Sequence, residues 1–390
     1  MGLIPYGRQS IDDADVRAVV EVLRSDFLTQ GPAVPRFEKA LADYCGAPHA
    51  VAANSGTSAL HIACLALGVG PGDRVWTSPN TFVASANCAR YCGAEVDFVD
   101  IDPRSYNLSP QALAARLERA ERERALPKVV IPVHFGGLPC DMAAIHALRE
   151  RYRFRIIEDA SHAIGARYAD GGTVGNGRYS DITVFSFHPV KIVTTAEGGA
   201  AATRDAELAR RMQLLRSHGV TREAAELEKR DEGAWYYEQH ALGFNYRMTD
   251  VHAVLGLSQM QKIETWIARR QQIAAAYDGS LARLPLILPH RGEAGRSALH
   301  LYAVQVDPGR GAPGRRIVFD RLRDAGIGVN VHYIPVYRQP YYRARGAWGS
   351  GYCPNAESYY ARALTLPLYA SMSDAQQDAV VRALGKALAA

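Results

Sequence analysis

The sequence predicts an α/β protein with a mostly parallel sheet, helices on both faces of that sheet, and a smaller α+β region at the C-terminal end. Short β-branched and aromatic runs alternate with amphipathic segments over roughly the first 200 residues, which is typical of parallel sheets covered by helices. Near residue 250 the alternation gives way to a long amphipathic stretch. At 390 residues the chain is too long to form only one small hydrophobic core. Its length favours about two to three domains.

A capped helix is predicted over residues 10–26, before the first strand. Helical patterns fill the intervals between strands, for example over residues 109–124 and 142–152. Strands are predicted over residues 49–55, 73–79, 94–101, 128–135, 155–160 and 181–187, with a further run over residues 198–203 close behind.

The C-terminal region begins with an amphipathic stretch over residues 249–284, which predicts one long helix that carries the smaller domain. After it, two apolar runs over residues 299–306 and 327–335 flank a helical segment. We therefore predict a large domain over residues 1–249 and a smaller α+β domain over residues 250–390. The N-terminal segment is expected to pack against the smaller domain.

Composition excludes several classes of function. The net charge of +5 comes from scattered arginines without a dense basic block, so nucleic acid is not an expected partner. The apolar run from Leu60 to Gly70 is too short to span a bilayer, and the N-terminus lacks the features of a signal peptide, so we expect a cytoplasmic protein. The six cysteines show no CxxC spacing, which argues against a metal site or a disulfide framework.

Polar residues follow several predicted strands, at the sheet edge where open α/β folds bind ligands. The sequence "SGTSAL", with Gly56, Thr57 and Ser58, begins a helix there. Helix N–H groups and hydroxyls at this point suit a phosphate, but Ser and Thr are also ordinary N-cap residues. Phe82 follows the next strand, where an aromatic side chain either belongs to the core or stacks on a ligand.

Two carboxylates and a lysine follow later strands. Glu158 and Asp159 end an apolar strand, where a carboxylate costs free energy unless it is paired or hydrogen-bonded. Two roles stay open for this pair. One is structural, as a helix N-cap or in an ion pair, and the other is functional, with one carboxylate facing a buried cation. Ser186 ends the next strand, and Lys191 lies just beyond it.

A phosphate cradle, an aromatic platform, a buried carboxylate and a buried lysine are the four parts that a pyridoxal 5'-phosphate (PLP) site needs. The lysine forms a Schiff base with the aldehyde, the carboxylate keeps the pyridine nitrogen protonated, and the aromatic residue stacks on the ring. These parts occur at successive strand ends, so the sequence predicts a PLP enzyme.

Motifs of irregular composition occur along almost the whole chain and support this prediction. Through these motifs the chain resembles the DegT/DnrJ/EryC1/StrS family of PLP-dependent nucleotide-sugar aminotransferases. The resemblance implies an aspartate-aminotransferase-like fold (fold type I). The motifs include "LTQGPAVPRFEKALADYCG", "NSGTSAL", "SPNTFVASANC", "IPVHFGG", "IIEDASHAIGA", "FSFHPVK", "TTAEGG", "LGFNYRMTDVHAVLG" and "VHYIPVY".

The resemblance implies a role for each candidate residue. Lys191 is expected to be the Schiff-base lysine and general acid/base, Asp159 to pair with the pyridinium nitrogen, and Phe82 to stack on the ring. Asn245 is expected to reach the phosphate in the neighbouring subunit, which implies a homodimer with shared active sites. Many relatives have Gln where this chain has His162, near the phenolic oxygen, and an imidazole there is expected to titrate near neutral pH. The other cofactor contacts implied are Gly56, Thr57, Ser58 and Ser186, the last three to the phosphate.

The motifs "EDASHA", "FSFHPVK" and "IPYGRQSI" resemble those of the pseudaminic-acid branch of the family. That branch uses L-glutamate to aminate C4 of a UDP-2-acetamido-2,6-dideoxy-4-ketohexose, which gives UDP-4-amino-4,6-dideoxy-N-acetyl-β-L-altrosamine. Tyr6, His332 and Tyr333 lie in segments that border the sugar site in relatives, although a structural role for His332 is an equal alternative. The insert over residues 221–244 is either a solvated loop or, through "WYY", a surface for uridine.

Two other functions stay open from the sequence. One is a 3- or 4-aminotransferase of the same family that acts on another dTDP, GDP or UDP keto-sugar. The other is a non-catalytic regulator or binding protein built on this fold. Some relatives replace the lysine with histidine and act as sugar dehydratases, and Lys191 argues against that activity.

Overall fold

A seven-stranded sheet is the main feature of the computed structural model, which describes residues 2–229 and 231–389. Its strands are β1 (His49–Ala53), β2 (Arg74–Thr77), β3 (Glu95–Phe98), β4 (Val129–Ile131), β5 (Arg155–Asp159), β6 (Ile182–Ser186) and β7 (Gly199–Thr203). Their order across the sheet is β1-β7-β6-β5-β4-β2-β3. The strands β2 to β6 pair in parallel, whereas β7 is antiparallel to both of its neighbours. The predicted strands are therefore all present, and the mostly parallel sheet is confirmed.

Helices cover both faces of this sheet. Alternate residues along each strand point to opposite faces, and they pack into two separate hydrophobic clusters. One cluster joins the sheet to α2 (Ala33–Cys45), α5 (Pro110–Arg122), α6 (Met142–Tyr152) and α8 (Asp250–Met260). The other joins it to α3 (Gly56–Ala66), α4 (Ala84–Tyr91) and α7 (Ala206–Arg216).

The first helix, α1 (Asp13–Leu23), begins where its capping residues predict. The Asp12 carboxylate accepts hydrogen bonds from the backbone of Ala14 and Asp15, and the Asp15 carboxylate accepts one from the Asp12 backbone. This capping box satisfies N–H groups that the first turn of a helix leaves unpaired.

The long amphipathic stretch is not one helix. The first part, α8, ends at Met260, and α9 (Ile263–Leu281) begins after a break. At the break the Lys262 ammonium lies 2.6 Å from a carboxylate oxygen of Asp12 and 3.0 Å from one of Asp15. These ion pairs tie the break to α1. Since neither Gly nor Pro marks the position, the sequence offered no local signal for it.

A second, antiparallel sheet forms the C-terminal part together with four helices. Its strands are β10 (Leu286–Ile287), β11 (Tyr302–Val306) and β12 (Ala363–Leu366), and a small hairpin, β8 (Val220–Thr221) with β9 (Glu238–Gln239), precedes it along the chain. The helices are α10 (Arg315–Asp324), α11 (Pro340–Arg343), α12 (Pro354–Arg362) and α13 (Asp374–Leu388). The N-terminal segment contacts this part, because the backbone of Ile4 exchanges hydrogen bonds with Gly326 and Gly328.

Within residues 2–229 and 231–389, no helix combines the length and hydropathy needed to cross a bilayer. The same described residues contain no cluster of His, Cys, Asp and Glu arranged to hold a metal ion.

Candidate active site

A cavity of about 550 Å³ opens at the carboxyl ends of β5 and β6. Most of the residues predicted from the sequence meet in its wall. Two of them, Ser58 and Asn245, are not among the lining residues. The predicted residues in the wall are Tyr6, Gly56, Thr57, Phe82, Asp159, His162, Ser186, Lys191, His332 and Tyr333.

The N-terminus of α3 forms one end of the cavity. Ser55 caps this helix and accepts a hydrogen bond of 3.0 Å from the Ser58 backbone. The Ser58 hydroxyl donates to Asn54 Oδ1 at 2.7 Å, so it is held within the protein. Gly56 lies against Ser186, and a Cβ at Gly56 would stand 2.9 Å from the Ser186 Cβ. The helix N–H groups and the hydroxyls of this end are the donor set that an anion such as phosphate prefers.

Asp159 lies in the cavity wall, and its carboxylate is hydrogen-bonded on both oxygens. Oδ2 accepts a bond of 2.6 Å from the Ser85 hydroxyl, and Oδ1 accepts one of 3.0 Å from the Ser161 backbone. Both oxygens thus accept hydrogen bonds, which fixes the orientation of the carboxylate in the cavity wall. Ser85 belongs to α4, and no motif in the sequence signalled its contact with Asp159.

Glu158, the neighbouring carboxylate, faces away from the cavity because adjacent residues of a strand point to opposite sides. It accepts hydrogen bonds from His134 Nε2 at 2.8 Å and from the Tyr168 hydroxyl at 2.7 Å. Burial alone would raise the pKa of Glu158, but His134, Ser180 and Tyr168 outweigh it and hold that pKa below its usual value. Glu158 is therefore a structural carboxylate.

Lys191 extends into the cavity from a turn in which its N–H donates to the His188 carbonyl at 2.8 Å. Burial lowers the pKa of the Lys191 amine to about 8, although the Asp159 carboxylate opposes this shift. A buried lysine with a lowered pKa is a better nucleophile and proton acceptor near neutral pH than a solvated one.

His162 is a neutral donor in this site. Its Nδ1 accepts from the Gly136 backbone at 3.3 Å, which places the ring proton on Nε2, 3.2 Å from the Tyr333 hydroxyl. Burial lowers the pKa of His162 well below its ordinary value, and the positive charge of Lys191 adds to this effect. The prediction that His162 titrates near neutral pH is therefore wrong.

His332 both lines the cavity and supports its wall. Its Nδ1 lies 2.8 Å from the Thr365 hydroxyl in β12, and its ring lies 5.4 Å from that of Tyr6. Burial, reinforced by Lys191, lowers the pKa of His332 to about 3. The imidazole therefore stays neutral at physiological pH.

These residues fit PLP. The α3 N-terminus, Thr57 and Ser186 suit its phosphate, Asp159 suits a protonated pyridine nitrogen, and the Lys191 amine suits its aldehyde. Phe82 leaves 59% of its surface exposed at the cavity, which makes its ring available to stack on a ligand.

Comparison with known proteins agrees with this geometry. The sequence model of the DegT/DnrJ/EryC1/StrS aminotransferase family matches residues 9–385. The chain is 41% identical over 385 residues to the spore coat polysaccharide biosynthesis protein SpsC of Bacillus subtilis, covering 98% of this chain and 96% of SpsC.

Two solved structures extend the comparison. Spr1654 of Streptococcus pneumoniae, assigned as a sugar aminotransferase, superposes in its PMP form with a TM-score of 0.89 at 31% identity, covering 98% of each chain. Its PLP form superposes with a TM-score of 0.88. Helicobacter pylori PseC, an aminotransferase involved in the biosynthesis of pseudoaminic acid, gives a TM-score of 0.88 at 29% identity over 99% of each chain.

Proposed function

Because the chain belongs to the DegT/DnrJ/EryC1/StrS aminotransferase family, whose PLP-dependent sugar aminotransferases share its fold, we propose that it aminates C4 of a UDP-linked 4-keto-sugar. The proposed substrates are L-glutamate and UDP-2-acetamido-2,6-dideoxy-β-L-arabino-hex-4-ulose. The product is then UDP-4-amino-4,6-dideoxy-N-acetyl-β-L-altrosamine, in pseudaminic acid biosynthesis. The observation that carries the aminotransferase chemistry is the meeting of Lys191 and Asp159 in one cavity beside the α3 N-terminus. The choice of sugar rests on the motif resemblance and on the likeness to PseC.

In this proposal the cofactor phosphate is held by Gly56, Thr57 and Ser186. Asp159 pairs with the ring nitrogen, and Phe82 stacks on the face of the ring. When bound, PLP supplies an electron sink for the α-carbon of the amino donor. The Lys191 amine accepts the proton from that α-carbon and later delivers a proton to C4 of the sugar. Since Lys191 approaches from one side of the cavity, it sets the configuration of the new amine.

The neutral residues of the cavity orient the substrates. His162 Nε2 and the Tyr333 hydroxyl lie 3.2 Å apart, and we assign them to the cofactor's phenolic oxygen and the adjoining sugar. Tyr6 and His332 lie on the same wall and are assigned to the sugar ring. Because burial keeps His332 and His162 neutral, they contribute hydrogen bonds rather than charge.

We also propose a homodimer in which the active sites are shared. Asn245 is exposed and lies outside the cavity of its own chain, while its backbone carbonyl accepts from Asn54 Nδ2 at 3.4 Å. Apolar side chains on α1 and in the residues that flank it are also exposed, and exposed apolar surface of this kind favours a protein interface. They include Ile11, Val16, Leu23, Phe27 and Leu28.

Complementation tests the shared site. Lys191→Ala and Asn245→Ala variants are each expected to be inactive. When unfolded together and refolded, random pairing of the two chains gives roughly a quarter of the sites a native Lys191 and a native partner Asn245. Recovery of about that share of wild-type activity supports the dimer, and no recovery from a refolded dimer contradicts sharing.

Purified enzyme with L-glutamate and a panel of keto-sugar nucleotides tests the substrate. Turnover of the 2-acetamido UDP 4-ketohexose supports the proposal, and its absence overturns the choice of sugar. The likeness to SpsC favours a second candidate, a family aminotransferase that acts on a different keto-sugar nucleotide in polysaccharide synthesis. In the non-catalytic alternative, Lys191→Ala leaves the function of the protein intact.

A further inference from the structure

The catalytic cavity lacks the positive charge that a nucleotide diphosphate requires. Lys191 is the one lysine or arginine among its lining residues, which also include the carboxylates of Asp159 and Glu197. Of the three histidines in the lining, His162 and His332 stay neutral because they are buried, whereas His188 is exposed. A nucleotide sugar adds about two negative charges, so its diphosphate must meet cations beyond the lining.

Two arginines of the C-terminal part share one aromatic ring. The guanidinium carbon of Arg315 lies 4.7 Å from the centre of the Tyr360 ring, and that of Arg338 lies 5.4 Å from it. Arg315 Nη1 also donates to the Tyr360 carbonyl at 2.6 Å. The Tyr360 ring therefore holds two like charges near each other.

Neither guanidinium has a carboxylate within 4.0 Å in the part of the chain that the structure describes. The nearby Glu357 accepts hydrogen bonds from the Tyr337 hydroxyl at 2.7 Å and from the Gly351 backbone at 3.1 Å. On the same helix as Arg315, Arg316 instead lies 3.8 Å from Asp320. Two adjacent cations without a counter-charge repel each other, and a bound anion would remove that repulsion.

The chain places the backbone of Arg338 next to the cavity wall. The wall includes residues 330–334 and Gln339, and Arg338 immediately precedes Gln339. Consecutive Cα atoms are about 3.8 Å apart, so the Arg338 backbone is one residue from the wall. The turn that carries it, Val336–Arg338, is fixed by a hydrogen bond of 3.0 Å from the Val336 N–H to the Pro79 carbonyl.

We propose that Arg315 and Arg338, held on Tyr360, form the subsite that binds the diphosphate of the nucleotide sugar. This inference rests on the proposed function, because it assumes a nucleotide-linked substrate. Guanidinium groups bind phosphate oxygens in a bidentate manner, and stacking on one ring fixes both in place before the ligand arrives. The sugar then lies in the cavity while the diphosphate lies at its rim.

Binding of UDP, UMP and uridine to the PLP-loaded enzyme, measured by calorimetry, tests this subsite. Arg338→Gln and Arg315→Gln should each weaken UDP binding about tenfold or more, as expected for the loss of a charged hydrogen bond. The same variants should weaken UMP binding less and leave uridine binding unchanged. Arg316→Gln is the matched control, since it removes the same charge from the neighbouring position and should bind UDP like the wild type.

The conservative variant Arg338→Lys should retain part of the affinity because it keeps the charge but loses the bidentate geometry. In turnover assays, Arg338→Gln should raise KM for the nucleotide sugar about tenfold with little change in kcat. The inference is overturned if the wild type does not bind UDP, or if both glutamine variants bind UDP as tightly as Arg316→Gln.

These outcomes separate the subsite from the proposed function. Arginine-dependent binding of UDP, dTDP and GDP without amination of the UDP 4-keto-sugar supports the subsite and rejects the proposed substrate. Amination with a KM that Arg338→Gln leaves unchanged supports the proposed function and rejects the subsite.

Discussion

The lowered pKa of Lys191 predicts an unusual pH dependence for the capture of PLP by the apoenzyme. Burial lowers the pKa of this amine from 10.5 to about 8, against the opposing charge of Asp159. At pH 7 an amine with that pKa is unprotonated in about one molecule in ten, compared with about one in 3,000 for an ordinary lysine. The apoenzyme should therefore capture the aldehyde about 300 times faster at pH 7 than a solvated lysine of the same intrinsic reactivity.

Stopped-flow absorbance of the apoenzyme mixed with PLP, between pH 6 and pH 10, measures this directly. Capture by Nα-acetyl-lysine under the same conditions corrects for titration of PLP itself. The unprotonated fraction of Lys191 should rise about tenfold per pH unit below pH 8 and level off above it. Asp159→Asn should move the midpoint downwards, because it removes the carboxylate that favours the charged amine.

Two results would refute this reasoning. A midpoint near 10.5 would mean that the Lys191 amine is solvated in the apoenzyme, and an upward shift in Asp159→Asn would mean that the carboxylate does not act on it. The variant also separates two roles of Asp159. It should capture PLP at pH 7 at least as fast as the wild type, yet lose transamination because the ring nitrogen is no longer held protonated.

Three further substitutions test other parts of the site. Glu158→Gln should lower the free energy of unfolding by about 2–4 kcal/mol, because one of the two buried oxygens that accept hydrogen bonds becomes an NH2 group that cannot accept them. Chemical denaturation measures this free energy, and a smaller decrease for Glu158→Gln than for Asp159→Asn would contradict the structural role of Glu158. Ser85→Ala should lower kcat about tenfold by removing the 2.6 Å bond to Asp159, with an unchanged melting temperature as the check on folding. Gly56→Ala should weaken PLP binding about tenfold, because its Cβ would stand 2.9 Å from the Ser186 Cβ, and unchanged affinity in a PLP titration would argue against the phosphate cradle.

Gly279→Ala is a suitable control for the glycine substitution. Nothing lies within 4 Å of a Cβ built at that position, which is in the exposed part of α9. It should leave PLP affinity unchanged, and it should stabilise the helix by a few tenths of a kcal/mol up to about 1 kcal/mol.

The sequence predicted the sheet well because its strands carry their signal locally. Each strand is a short run of β-branched, aromatic or small apolar residues, and the structure places all seven within the predicted segments. Helix caps such as Asp12 are also local signals. The break at Lys262 was missed because no local residue marks it, and its ion pairs with Asp12 and Asp15 join positions about 250 residues apart in the chain.

The candidate site, like the fold, could be predicted from the sequence only in part. The order of motifs at the strand ends, together with the family resemblance that these motifs carry, indicated ten residues that line the cavity. The same motifs did not show which of two adjacent carboxylates faces the cavity. That depends on which side of β5 each one occupies, and only the packed sheet assigns Asp159 to the cavity and Glu158 to His134.

By itself, then, the sequence determined the fold class and the cofactor chemistry and singled out Lys191 as the candidate lysine, because these depend on residue type and on motifs along the chain. The tertiary structure decided the protonation of the site. His162 is neutral and Lys191 has a pKa of about 8 because both lose solvent in the folded chain. It also brought Arg315 and Arg338 to the same ring. Burial and contacts between distant segments exist only after folding, so no local pattern could have shown them.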